Sequence, residues 1–176
     1  MKPAKILLAI LAVVTLASAQ TPPMSKPGPE HAKLEYFAGN WTMEGDLKAS
    51  PWGPGGKFTG TEHNAWMSGN FFMVSHSDVH MPMGDAKGMA IFGYNSEENQ
   101  YTYHAFNSMG EAESATGKLD GDNWLWTSHE KMGGHVIHGR YSIQVTSPTT
   151  YTFKFEMQPE GSDWATIMEG KATKSK

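Results

Sequence analysis

Apolar and polar residues alternate along most of this chain, and Gly, Pro, Asn and Asp interrupt the alternation at short intervals. Between Asn40 and Ala49, Trp41, Met43 and Leu47 fall on one face and Thr42, Glu44, Asp46 and Lys48 on the other. A period of two marks a strand with one buried face. The same pattern predicts strands over Lys57–Met67, Phe71–Met81, Glu111–Leu119, Asn123–Glu130, His135–Thr146, Thr149–Met157 and Trp164–Lys171. At mid-chain, Gly88–Met109 reads as a hairpin of two apolar and aromatic runs joined at Asn95-Ser96-Glu97-Glu98-Asn99. The intervening loops carry residues that turn the chain, such as Ser68-Gly69-Asn70, Pro82–Asp85, Asp120-Gly121-Asp122 and Gly133-Gly134.

One segment departs from this period. Pro29-Glu30 suits the first turn of a helix, His31, Leu34 and Phe37 recur at helical spacing, and Gly39 stops the element. About ten consecutive strands with short turns make an antiparallel meander, and such a sheet avoids exposed edges by closing. The expected fold is therefore all-β, an antiparallel up-and-down β-barrel with one short N-terminal helix plugging an end. A sandwich is the runner-up, but it needs a long Greek-key crossing that the turn spacing does not supply. A barrel of this strand count can hold one small ligand.

Composition and charge narrow the function. The chain has 176 residues, a net charge of −4 and 18% charged residues, with 19 Gly and 10 Pro. An acidic balance argues against nucleic acid and anionic membrane surfaces as partners. Lys2 and Lys5 precede an apolar run from Ile6 to Leu16, and Ala17-Ser18-Ala19 completes a secretory signal peptide cleaved after Ala19. Residues 1–19 are read as that signal, 20–29 as a flexible Pro-rich linker and 30–174 as the barrel. The expected location is secreted or periplasmic, with no membrane anchoring after cleavage and a monomer or weak homodimer in solution. The chain has no Cys, which excludes thiol catalysis and thiolate metal sites and leaves the barrel to hold by packing and hydrogen bonds.

Candidate chemistry is sparse. Eight His are present, but His76 and His80 on one strand lie about 13 Å apart, too far for one ion. His135 and His138 fall on opposite faces. A metal or haem would need cross-strand partners among His63, His76, His104, His129 and His138, and no metal or cofactor is predicted. His104, beside Tyr103 and Phe106, is the best single candidate and would pair with an acid in a barrel enzyme. Arg140 is the only Arg; it either grips an anion in the lumen or pairs with a Glu on the outer wall. Glu62, Asp78, Glu111, Glu113 and Glu169 sit on strands without visible partners. Trp41 should close the barrel end, while Met81-Pro82-Met83 and Met89 suit a malleable pocket or mouth. No nucleophile elbow, phosphate loop or dinucleotide fingerprint occurs.

Several short motifs carry a resemblance. Leu34-x-x-Phe37-x-Gly39-x-Trp41 resembles the opening of lipocalin-type (calycin) barrels. Gly60-Thr61-Glu62, Phe92-Gly93-Tyr94-Asn95, Asn107-Ser108-Met109-Gly110, Gly117-x-x-Asp120-Gly121, Phe153-x-Phe155-Glu156-Met157 and Met168-Glu169 follow in the order of an exported bacterial family, domain of unknown function 1579. The likeness runs from Pro29 to Lys174. It implies a lipocalin-like barrel and no assigned reaction. The Gly-Gly usual before the third strand is Ser68-Gly69 here, and the Trp usual in the fifth strand is replaced near Ala105. The expected function is binding of a small hydrophobic or amphipathic ligand in the barrel interior. The residues expected to line the site are Trp66, Phe72, His76, Tyr103, His104, Trp126, Arg140 and Phe155.

Overall fold

The structure is a computed structural model, and it describes residues 26–51, 53–132 and 134–175. The expected signal peptide, residues 1–19, and residues 20–25 of the expected linker lie outside them. Pro29–Lys33 forms α1, continued by a 3-10 turn over Leu34–Phe37. Ten strands follow: β1 Gly39–Leu47, β2 Gly56–Trp66, β3 Phe72–Met81, β4 Gly84–Asn95, β5 Gln100–Asn107, β6 Ala112–Asp120, β7 Asn123–Met132, β8 His135–Ser147, β9 Thr150–Pro159 and β10 Ala165–Lys174. Each pairs antiparallel with its chain neighbours, and β1 pairs with β10 to close the barrel. The sequence pattern foretells this order; β4 starts four residues earlier than the hairpin reading, at Gly84.

Register fixes which side chains point inward. Trp41 faces Glu62 across β1–β2, Asn64 faces Ser75, Met73 faces Phe92, and Phe92 faces Tyr103. Tyr103 faces Ala115, Gly117 faces Trp126, Trp126 faces Tyr141, and Tyr141 faces Phe155. Side chains alternate sides along a strand, so this ring of pairs defines the lumen.

The helical segment plugs one end. Leu34, Phe37 and Trp41 are buried there against Trp124, Tyr151, Phe92 and Tyr101. Hydrogen bonds tie the plug down on several sides. The Trp41 indole N–H donates to the Phe37 carbonyl at 2.8 Å, and the Asn64 amide donates to the same oxygen at 3.0 Å. The Tyr36 hydroxyl reaches the Ser147 and Thr150 carbonyls at 3.0 and 2.9 Å. The Tyr101 hydroxyl donates to the Glu30 carboxylate at 2.8 Å. This explains why a helical segment of only nine residues persists: tertiary packing, not propensity, holds it.

Closure depends on a glycine pair. Gly45 of β1 faces Gly170 of β10. A Cβ at Gly170 would sit 2.4 Å from the Glu44 carbonyl oxygen and 2.8 Å from the Phe153 ring. The two strands approach closely there so that Phe58 and Phe153 can pack over the seam, 6.1 Å apart. Gly170→Ala should therefore destabilise the fold by about 2 kcal/mol through overpacking, read as a lowered urea midpoint with an unchanged slope.

Candidate functional site

The lumen has two unlike halves. Toward the helix its side chains are sealed: Leu34 and Met73 are fully buried, and Trp41, Tyr101, Trp124, Tyr151 and Phe153 nearly so. Toward the other end, inward-facing side chains on strand after strand are only partly covered. Met43, Glu62, Val79, Met81, Tyr103, Glu113, Tyr141, Phe155 and Met168 all keep accessible surface. Since register points them inward, that surface is interior space toward the end opposite the helix. Met83 and Met109 stand exposed at that rim, and Met83 lies against Gly53 of the β1–β2 loop.

The polar groups of the open half are acids, phenols and hydroxyls. Glu62 accepts a hydrogen bond from Ser75 at 2.9 Å. Burial pushes its carboxyl above the usual range, against the pull of Asn64 and Ser75. Glu113 is raised mainly by burial and then by Glu130, with Ser128 opposing. Glu130 is itself raised by burial, and one of its carboxylate oxygens is buried without a partner. Tyr103 is raised by burial and then by Glu113 and Glu62. Tyr141 is raised well above its ordinary value by burial first, then by Tyr151, Glu62, Tyr103 and Glu113. Register puts Glu62, Tyr103, Glu113, Glu130 and Tyr141 on the inner face, so they line one space. Among the described residues the Tyr103 and Tyr141 hydroxyls have no protein hydrogen-bond partner, and neither is a sealed orphan atom, so both open onto that space.

The eight expected site residues divide. Tyr103, Trp126 and Phe155 point into the lumen; Tyr103 and Trp126 lie 5.8 Å apart, and Phe155 packs against Tyr141 at 6.4 Å. Trp66 also points inward but at the closed end, where its indole N–H donates to the Glu35 carboxylate. The other four lie on the outer face of the barrel. Phe72 pairs with Gly93 on the outer wall and is 44% exposed. His76 faces outward beside its cross-strand partner His63. His104 faces outward and contacts the Ser114 hydroxyl at 3.0 Å. It and Phe92 sit on opposite faces, because Phe92 registers with Tyr103.

Arg140 takes the outer-wall alternative. It donates to Glu156 at 2.6 Å and lies over the Trp164 ring at 4.2 Å, while Lys154 approaches the second Glu156 oxygen at 3.0 Å. Arg140→Ala should cost about 1 kcal/mol of stability, since Lys154 still satisfies Glu156. Thermal melting would register that loss, and occupancy of the lumen should not change.

Of the other acids the sequence singles out, Asp78 pairs with Lys87 and Glu169 with Lys48 on the outer wall. Glu111 is held by Asn107 at 2.5 Å. His129 and His138 are cross-strand partners with Nδ1 atoms 2.6 Å apart, also facing outward. Among the described residues no group of three or more His, Asp or Glu could hold a metal ion. Two concave patches of about 660 and 460 Å³ lie on the outer wall, the first beside Asp46, Leu125 and Lys154, the second beside His63, His76 and Asp78. They are open grooves over paired strands and are lined by solvated charges.

Sequence reasoning passed over Tyr141, Ser75, Ser128 and Glu130, and left Glu62 and Glu113 without a role. A signal was available. Glu62 lies in phase with Phe58 and Trp66 on β2, and Glu130 with Trp124 and Trp126 on β7. A carboxyl at an aromatic parity marks a polar lumen.

The profile of a protein family described as "protein of unknown function (DUF1579)" matches residues 26–174. No curated protein matches the chain in sequence. Among solved structures, the chain is similar to Rv2717c from M. tuberculosis, with a TM-score of 0.63, 12% identity, and coverage of 86% of this chain and 100% of that one. It is also similar to the S-type phycobiliprotein lyase CPES from Guillardia theta, with a TM-score of 0.52, 10% identity, and coverage of 82% and 92%. At these identities the likeness concerns the fold.

Proposed function

The chain belongs to the DUF1579 family, and from that premise we propose that it is a binding barrel that takes a small amphipathic molecule into its open half-lumen. The observation that carries this reading is the partly covered half of the lumen, where the inward-facing Tyr103 and Tyr141 hydroxyls are accessible and have no partner among the described residues. An accessible hydroxyl that the protein leaves unpaired takes its hydrogen bond from water or from an occupant. Phe155, Met157, Met168 and Met43 supply apolar wall beside them, the mixture expected of a small-molecule pocket. The N-terminal segment supports export, with the barrel working in the periplasm or outside the cell.

Native mass spectrometry of the freshly purified mature chain tests the reading, together with an Ala105→Trp variant. Ala105 faces inward in the open half, across from Ala90 and Glu113, and an indole there would fill the space. A retained small molecule in the parent chain, absent from a folded Ala105→Trp variant, is the expected result. Equal occupancy of both chains, or a parent chain that neither retains nor takes up any amphiphile, overturns it.

A further inference from the structure

The lumen's charge selects among amphiphiles. Between the plug and the rim, the described lumen-facing residues include the acids Glu62, Glu113 and Glu130 and no Lys or Arg. The barrel's basic side chains are spent elsewhere. Lys48, Lys57, Lys87, Lys154, Lys171 and Arg140 pair with outer-wall carboxylates. Lys174 is held at the closed end, donating to the Tyr36 carbonyl at 3.2 Å with Trp41 beneath it.

Acids without counter-charges inside a barrel are destabilising unless something pairs with them. The phenols Tyr103 and Tyr141 face the same space, and their rings offer π-faces that also attract cations. Resting on the binding reading above, we infer that the occupant is an organic cation, an apolar body carrying a protonated amine that seats between Glu62 and Glu113. The apolar part lies against Phe155 and Met168. An anionic amphiphile would add a like charge to three carboxyls, and a neutral one would leave them unpaired.

Binding of this kind is linked to protons. The groups facing the amine are Glu62, Glu113, Glu130, Tyr103, Tyr141 and, at the inner edge, Tyr151. Burial holds these carboxyls above their ordinary range in the free lumen, and a cation favours their ionised form. Amine uptake should therefore release protons and tighten as pH rises from mildly acidic toward neutral.

Three matched probes test this on the mature chain at pH 7.5: decylamine, decanol and decanoate, followed by quenching of intrinsic Trp fluorescence and by calorimetry in two buffers of different ionisation enthalpy. Decylamine should bind at least about tenfold more tightly than either of the others, the scale of one charge pair in an enclosed site. Its heat should depend on the buffer, reporting proton release. In the double variant Glu62→Gln, Glu113→Gln, checked for a native near-ultraviolet dichroism spectrum, the amine's advantage over decanol should shrink to less than about threefold. Decanol or decanoate binding as tightly as decylamine, or an amine preference that survives in the double variant, overturns the cation assignment and leaves the binding barrel standing. Failure of all three probes to bind removes both.

Discussion

Trp41→Ala should be the most damaging single substitution in the barrel, lowering stability by about 3–5 kcal/mol, the usual range for deleting a buried aromatic. Trp41 is 1% exposed at the closed end. Its ring packs 5.0 Å from Tyr151 and 5.5 Å from Tyr36, with the Lys174 ammonium 5.3 Å over its face. Its indole N–H also fixes the last turn of the plug through the Phe37 carbonyl. Trp41→Phe separates the two contributions. It keeps most of the apolar volume, and Phe37 still accepts from Asn64, so about 1–2 kcal/mol should be lost. Urea denaturation followed by dichroism would read both losses. A Trp41→Ala chain as stable as the parent would show that the plug is not the keystone of the closed end.

The architecture was legible because its determinants are local. Turn residues punctuate the chain, period two marks each strand, and a Gly-x-Trp step after a short helix announces the closed end. Which face of each strand points inward was less legible, and β3 shows why. Its lumen face is Met73, Ser75, Ser77, Val79 and Met81, while its outer face carries Phe72, Val74 and His76. Asp78 and His80 also lie outward, but each face mixes apolar and polar residues, so the apolar residues alone give no direction. On β5 the same ambiguity put His104 forward, although Tyr101 and Tyr103 carry the lumen face. Cross-strand register resolves the question, and register is set by partners distant in sequence. The seam glycines Gly45 and Gly170 were silent for a related reason: their meaning lies in the approach of the first strand to the last.

Removing the lumen acids should strengthen the fold, with the gain appearing only above mildly acidic pH. Glu62 and Glu113 have carboxyls raised above the ordinary 4.5 chiefly by burial. Between 4.5 and their raised values, the native protein holds protons that the unfolded chain releases, so stability falls as pH rises through that window. The outer-wall carboxylate of Glu156 works in the opposite sense. Arg140 first, and then Lys154, hold it below the usual range, so its contribution is lost as pH falls into the acid range. The parent chain should thus lose stability toward acid through Glu156 and toward neutral pH through the lumen acids. The Glu62→Gln, Glu113→Gln chain should keep the acid limb, lose most of the neutral decline, and be more stable than the parent at pH 7. Melting temperatures across pH 4–8 would show it. Parallel curves for the two chains would mean that the acids are solvated and that the lumen sets no demand for a counter-charge. A stability gain that accompanies loss of amine binding would show that the acids persist for the ligand they receive, at the expense of the empty barrel.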